Sequence, residues 1–183
     1  MKSAESAIRF CEIAESSTIF AKLSQKLYTR RAMILFDNRT ETEICGEILA
    51  FLEQILAKLS AKNVELLLVS DDEIRALNRE FLGRDYATDV LSFPLDFSEI
   101  AESCLDSANP AILGSIVISL NFAKSYAKAH NHSLQTELAI LFTHGLLHLL
   151  GYNHESDNGE HRKKEREILA QFGIKSLIER NGG

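Results

Sequence analysis

Three histidines lie within one eleven-residue stretch, HGLLHLLGYNH, at positions 144, 148 and 154. On a helix, His144 and His148 lie on the same face, about 6 Å apart along the axis, so both imidazoles can reach one ion at about 2.0–2.1 Å. Gly151 permits a positive φ, with which the chain can leave the helix and return His154 to that ion. Three neutral imidazoles leave a fourth tetrahedral position for water, as in catalytic zinc sites. The sequence therefore predicts one Zn²⁺ bound by these histidines.

The residue after the first histidine separates this motif from a zinc peptidase. The spacing matches H-E-x-x-H-x-x-G-x-x-H of the metzincin peptidases, but Gly145 stands where their glutamate polarises the water. Glu137, on the same predicted helix, is two turns before His144 and too distant to replace it. Without a carboxylate base, the ion itself must activate the nucleophile and offset negative charge on the substrate. Phosphodiester hydrolysis fits both conditions, and a metzincin-like metallopeptidase is the alternative.

Helices and strands that alternate along the chain must position this motif. Ser133 is predicted to cap a long helix that runs to about Leu150 and ends at Gly151. Ser70 and Glu73 form a predicted capping box that starts another helix at about residue 71. Strands are predicted at 33–38, 64–69, 90–93 and 113–120, and further helices at 43–60, 121–130 and 158–172. This order predicts an α+β fold: a single compact domain with a mixed four-stranded sheet covered by helices and the metal site at the end of the long helix.

The first 32 residues differ from the rest of the chain. Residues 1–32 carry six Lys/Arg against three Glu, whereas the whole chain of 183 residues has a net charge of −6. A loose apolar periodicity predicts a helix over residues 5–28. We expect residues 1–32 to form an N-terminal extension and residues 33–183 to form the metal-binding domain.

Composition narrows the classes of protein that need to be considered. No apolar run approaches the roughly 20 residues that span a bilayer, and the N-terminus lacks the pattern of a secretory signal. The three cysteines are far apart and odd in number, which suits a reducing cytoplasm. A net charge of −6 argues against a protein that coats nucleic acid, so a site for a polyanion must be local or rely on a cation.

Three sequence blocks resemble one known family. HGLLHLLGYNH resembles H-G-x-L-H-L-x-G-Y-D-H of the YbeY family of bacterial metal-dependent endoribonucleases. LNREFLGRDYATDVLSFP, residues 77–94, is similar to that family's L-N-x-x-[YF]-R-G-K-D-x-x-T-D-V-L-S-F-P, and LGSIVIS, residues 113–119, to its L-G-D-I-x-I-S strand. The blocks occur in the family's order, and the similarity covers about residues 33–172.

The resemblance implies a function and a set of partners. It implies zinc held by His144, His148 and His154 and cleavage of single-stranded RNA. It also implies a role in ribosomal RNA processing at the 3′ end of the small-subunit RNA and in ribosome quality control, with ribosomal RNA and the small ribosomal subunit as partners. The expected location is the cytoplasm, with no membrane partner. The sequence does not indicate an oligomeric state.

Three positions depart from the family pattern: Leu82 replaces an arginine, Ser115 an aspartate on the strand and Asn153 an aspartate beside the third histidine. Arg84, at the family's lysine position, is a candidate to substitute for the missing arginine and is the one catalytic candidate beyond a water on the ion. A non-catalytic ribosome-assembly factor with structural zinc is a second alternative, which Leu82 makes more plausible.

Two further segments have an ordinary structural interpretation. The basic run HRKKER, residues 161–166, is predicted to be a solvated helix face with Glu165 and Glu167 as charge partners. Because it follows the third histidine closely, contact with phosphates is the alternative, and His161 is expected to be a surface residue rather than a metal ligand. Thr88 and Asp89 precede a strand and are predicted to form a turn with local hydrogen bonds rather than an RNA groove.

Overall fold

The computed structural model describes residues 32–95, 112–153 and 157–174. The predicted helix over residues 5–28 and the polar connection at residues 96–111 lie outside the described residues. His154 also lies outside them.

The described residues form four strands and five helices. The strands are β1 (Ile34–Asn38), β2 (Asn63–Val69), β3 (Val90–Pro94) and β4 (Ile112–Ser119). The helices are α1 (Gly46–Leu59), α2 (Asp71–Leu82), α3 (Leu120–Ala129), α4 (Leu134–Leu149) and α5 (Glu160–Gln171). Each of these elements overlaps a helix or strand predicted from the sequence. Within the three described segments, no helix is long and apolar enough to cross a membrane.

The strands form one mixed sheet in the order β1-β2-β4-β3. β1 and β4 both pair with β2 in parallel, and β3 pairs with β4 in the antiparallel direction. The central strands β2 and β4 are buried along most of their length, which explains their nearly continuous apolar sequences. The predicted mixed four-stranded sheet and α+β class are confirmed.

Alternate residues of β2 face different helices. Val64, Leu66 and Leu68 point into the larger core, which contains buried residues of α1 and α4. Leu67 and Val69 point to the opposite face, where they pack in a smaller cluster with Ile74 of α2. The domain is therefore layered, with α1 and α4 on one side of the sheet and α2 on the other.

Helix α4 is the central helix of the larger core. It packs against β3, β4, α1, α3 and α5, and almost every residue from Glu137 to Leu149 is buried or half-buried. Its N-terminus is capped as predicted, because Ser133 Oγ accepts a hydrogen bond of 3.1 Å from the Thr136 backbone N–H. The sequence LAILFTHGLLHLL is apolar on all sides, as a helix surrounded by other elements requires. The two histidines of α4 thus stand on a well-fixed helix.

The start of α2 is confirmed, but half of its predicted capping box does not form. Ser70 Oγ accepts a 3.2 Å hydrogen bond from the Glu73 backbone N–H, and the helix begins at Asp71. The Glu73 side chain instead accepts a 2.7 Å hydrogen bond from Arg39, which follows β1. A long-range ion pair has replaced the local contact.

Ser115, one of the departures from the family pattern, has a partner across the sheet. Its hydroxyl donates a 2.5 Å hydrogen bond to Glu65, the residue beside it on β2. Burial raises the pKa of Glu65 above its ordinary value, although the hydrogen bond from Ser115 and the charge of Arg39 act in the opposite direction. An aspartate at position 115 would add a second carboxylate beside Glu65, so the serine removes a repulsion.

We predict that Glu65→Gln removes a pH dependence of stability. Because the pKa of Glu65 is raised in the folded protein, the folded state binds more protons than the unfolded state at pH values between the ordinary 4.5 and the folded value. The wild-type free energy of unfolding should therefore fall as pH rises through this window and then level off. Chemical denaturation between pH 4 and 8 should show Glu65→Gln gaining stability relative to wild type across the window. The exposed Glu41→Gln serves as control, and parallel profiles for Glu65→Gln and wild type would contradict the assignment.

Candidate metal centre

His144 and His148 face each other on α4, one turn apart. Their Nε2 atoms are 3.2 Å apart and their ring centroids 4.8 Å apart. Two nitrogens that bind one tetrahedral zinc at 2.0–2.1 Å are separated by about 3.3 Å. The observed separation therefore matches one edge of a tetrahedral site, as the i, i+4 spacing predicted.

Glu165 orients the first of these imidazoles. Its Oε1 lies 3.4 Å from His144 Nδ1, and its side chain is only 12% exposed. A carboxylate at Nδ1 favours the proton on that nitrogen and leaves the Nε2 lone pair for a metal, an arrangement common among metal-binding histidines. The prediction that Glu165 lies on a solvated face is therefore wrong.

The prediction for His161 is also wrong, because this residue is fully buried rather than on the surface. Its ring centroid is 4.5 Å from that of His144 and 4.7 Å from that of His148. One potential ligand atom from each of the three histidines lies within 4.8 Å of the other two. The described residues thus bring together His144, His148 and His161, whereas binding by His154, outside the described residues, stays a prediction.

A weak sequence signal for the position of His161 is visible afterwards. Glu165 and Ile168 follow His161 at i+4 and i+7, which places the three on one face of α5. Ile168 and Leu169 are buried, so this face is the one that packs inwards. In the sequence, only Ile168 and Leu169 indicate which face of α5 packs inwards, because most of the other positions are charged.

Hydrogen bonds fix the described residues at the end of α4 and at the start of α5. Gly151 has a φ of 90°, which confirms its predicted role in ending the long helix. The Asn153 carbonyl accepts a 2.8 Å hydrogen bond from the Asp157 N–H. The Asp157 carboxylate in turn accepts hydrogen bonds from the backbone N–H groups of Gly159, at 2.7 Å, and His161, at 2.8 Å. The backbone of His161 is therefore fixed at the start of α5.

Gly145 is a point of close contact between α4 and the sheet. A Cβ atom at this position would lie 2.9 Å from both Ile116 Cγ2 and Ser92 Oγ. These two residues are partners in the β3–β4 ladder. A glutamate at position 145 would be directed into the sheet, so Gly145 serves the packing of α4 against β3 and β4.

Glu137 pairs with His132 at the other end of α4, as expected from its distance from His144 in the sequence. Its carboxylate is buried and lies 2.8 Å from His132 Nε2, near the N-terminus of α4. His144 lies almost two turns further along the helix.

The last residue of α2 and the loop after it carry the remaining candidates. Leu82 is 54% exposed and Arg84 is exposed, and neither belongs to the histidine cluster. The loop is tied to α2, because Asp85 forms a two-point ion pair with Arg75, at 2.9 and 3.1 Å, and Asn78 Nδ2 donates to the Tyr86 carbonyl at 2.8 Å. Arg84 thus projects from a braced loop.

Thr88 and Asp89 form the predicted local turn. Thr88 Oγ1 donates to Asp89 Oδ1 at 3.2 Å, and that oxygen also accepts from the Val90 N–H at 2.9 Å. These bonds fix the entry into β3.

We predict that Gly145→Ala destabilises the protein by about 1–3 kcal/mol, because the added methyl group would force α4 away from Ser92 and Ile116. Thermal and urea unfolding of the metal-free protein would measure the loss. Gly46→Ala, at the start of α1, is the matched control, since nothing lies within 4 Å of a Cβ added there. Equal stability of Gly145→Ala and wild type would show that the close contact is not required.

Comparisons with known proteins agree with the sequence resemblance. A family model described as "Endoribonuclease YbeY" matches residues 29–173. A relative of that name from Sulfurovum sp. (strain NBC37-1) is 47% identical over 150 residues, which are 81% of this chain and 97% of the relative. One from Aliarcobacter butzleri (strain RM4018) is 48% identical over 81% of this chain and 99% of its own. A solution structure from Thermotoga maritima aligns with 82% of this chain and 99% of its own at 27% identity and a TM-score of 0.48. Since the family model spans far more than half of the chain, this protein belongs to the YbeY family.

Proposed function

We propose that this protein is a zinc-dependent endoribonuclease that cuts single-stranded RNA in the cytoplasm. Its substrate would be ribosomal RNA at the 3′ end of the small-subunit RNA, and it would also act in ribosome quality control. One Zn²⁺ would be bound by His144, His148 and His154. Support comes from family membership, from relatives named endoribonuclease and from the histidines of α4.

The observation that carries this proposal is the pair of Nε2 atoms 3.2 Å apart, with Glu165 at the far side of the His144 ring. This donor set suits zinc, which prefers imidazole nitrogen at tetrahedral spacing. When bound, the ion would act as a Lewis acid that polarises the phosphodiester and favours deprotonation of the attacking hydroxyl. The chain itself fixes the imidazoles: α4 sets their spacing and Glu165 sets the tautomer of His144.

The packing at position 145 favours a nuclease over a peptidase. The peptidase mechanism requires a carboxylate beside the metal at that position, where the sheet leaves no room for a side chain. Glu137 is paired with His132, and Glu165 contacts the Nδ1 side of His144. A phosphodiester does not require a carboxylate at position 145, because its own negative charge is attracted to the cation.

Arg84 is the proposed contact to the RNA backbone. The net charge of −6 means that the chain as a whole does not attract RNA through its overall field, so local cations must do so. Arg84 is exposed on a loop that ion pairing braces against α2, which lowers the entropy lost when it contacts a phosphate.

We predict that His144→Ala and His148→Ala each reduce cleavage of a single-stranded fragment from the small-subunit RNA 3′ region by at least about 100-fold. A loss of this size is typical when one group that stabilises charge in the transition state is removed. Zinc-loaded protein, incubated with end-labelled RNA, provides the rate. The exposed His130→Ala serves as control. The mobility of the products distinguishes 2′,3′-cyclic phosphate, from attack by the ribose hydroxyl, from the open ends left by water.

Three outcomes would contradict the nuclease proposal. The first is equal cleavage by wild type and both histidine variants. The second is chelator-sensitive cleavage of casein without cleavage of RNA, which would favour the peptidase. The third is co-sedimentation with small ribosomal subunits without turnover, which would favour a non-catalytic assembly factor.

We predict that Arg84→Ala weakens RNA binding and that Leu82→Arg strengthens it. Each phosphate contact on a single strand contributes about 0.7 to the slope of log affinity against log salt. Fluorescence anisotropy over a range of salt concentrations should therefore show a shallower slope for Arg84→Ala and a steeper one for Leu82→Arg, whose added side chain replaces an exposed leucine. If neither variant changes the slope of log affinity against log salt concentration, positions 82 and 84 do not contact the RNA backbone.

A further inference from the structure

We propose that His161 is an additional ligand of the metal site, so that the ion is held between α4 and α5 rather than by the HGLLHLLGYNH stretch alone. This inference rests on the proposed function only in taking the histidines to bind a metal.

The first observation is the burial of His161 in a helix that is otherwise mostly exposed. Helix α5 has the sequence EHRKKEREILAQ, and its buried residues are His161, Ile168 and Leu169. A buried polar ring costs free energy unless its nitrogens have partners. Two apolar residues explain why the helix packs inwards, but a histidine at the third buried position indicates a polar role.

The second observation is the direction of a hydrogen bond. His161 Nε2 lies 3.2 Å from the backbone carbonyl oxygen of His144. A carbonyl can only accept, so this geometry assigns the ring proton to Nε2 and the lone pair to Nδ1. Histidines that bind a metal through one nitrogen commonly donate the other N–H to a backbone carbonyl or a carboxylate. His161 has the carbonyl arrangement, and a carboxylate oxygen of Glu165 lies 3.4 Å from His144 Nδ1.

The third observation is the distance between the three rings. The His161 ring lies 4.5 Å from that of His144 and 4.7 Å from that of His148, between centroids. Potential ligand atoms of the three residues are all within 4.8 Å of one another. Tetrahedral zinc requires about 3.3 Å between ligand nitrogens, so a contraction of about 1.5 Å at most brings His161 into coordination.

The fourth observation is that the start of α5 is fixed by a local hydrogen bond and that the helix contacts His144 through a second residue. Asp157 accepts a hydrogen bond from the His161 backbone N–H, and Glu165, one turn beyond His161, lies beside His144 Nδ1. His161 and Glu165 share one face of α5. The helix would thus contribute both a ligand and the carboxylate that orients a second ligand.

An added ligand has a chemical consequence. His161 would supply a third imidazole beside His144 and His148, which leaves one position of a tetrahedral zinc ion for a further ligand or for substrate. His161 would thereby tighten metal binding.

Nuclear magnetic resonance with ¹¹³Cd²⁺ as the probe tests the ligand directly. In protein labelled with ¹⁵N-histidine, a coordinated ring nitrogen is split by coupling to ¹¹³Cd. We expect this splitting at a nitrogen of His161 as well as at His144 and His148, with His161→Gln used to assign the signal. Splitting at His144 and His148, with none at His161, would overturn the proposal.

Competition with a chromophoric chelator measures the contribution to zinc affinity. We expect His161→Gln to weaken zinc binding at least about tenfold, the lower end of the effect of removing a partner outside the coordination shell. His130→Gln, at an exposed histidine outside the cluster, should leave the affinity unchanged. If the metal-free His161→Gln protein is unfolded by circular dichroism, His161→Leu supplies an apolar replacement for the same buried position.

The results separate this proposal from the proposed function. Weaker zinc binding in His144→Ala but not in either His161 variant would overturn the role of His161 and leave the metal site on α4 intact. Unchanged zinc affinity in all of these variants would overturn the metal site itself.

Discussion

The close contact between α4 and the β3–β4 pair at Gly145 is the constraint on which the rest of the site depends. Ser92 and Ile116 fill the space that a side chain at position 145 would need, so the helix lies directly on the sheet. Thr143 and Leu146, next to this contact along α4, are also buried, so packing fixes the rotation of the helix against the sheet. That rotation turns His144 and His148 away from the sheet and towards α5. One glycine therefore both excludes the carboxylate of the peptidases and sets the direction of the histidines.

Helix α5 completes the surroundings of these histidines. Its polar sequence gives little reason to pack tightly, and yet His161 and Glu165 both reach His144. The hydrogen bonds of Asp157 and the carbonyl of Asn153 fix where this helix begins. The site is thus a product of two helices and of the short connection between them, rather than of one motif.

Much of the fold could be predicted from short-range patterns. Ser133, Ser70 and Gly151 marked helix ends because caps and positive φ depend on residues within one turn. The i, i+4 spacing likewise predicted that His144 and His148 would face each other. Contacts between distant segments could not be predicted in this way. Strand register brings Ser115 to Glu65 across 50 positions, and helix packing brings His161 to His144 across 17. The basic residues of HRKKER lie on an exposed or half-exposed face, as predicted, whereas His161 and Glu165 turn inwards because of helix packing that the sequence alone does not reveal.

The central claim is that these histidines hold one metal ion that makes RNA cleavage possible. The most direct test starts from chelated, metal-free protein and follows the rate of cleavage of a single-stranded RNA as Zn²⁺ is added in known equivalents. We expect negligible cleavage at the start, a linear rise and a plateau at about one equivalent of zinc per chain. Full cleavage by the metal-free protein, or a cleavage rate that does not change as zinc is added, would contradict this claim.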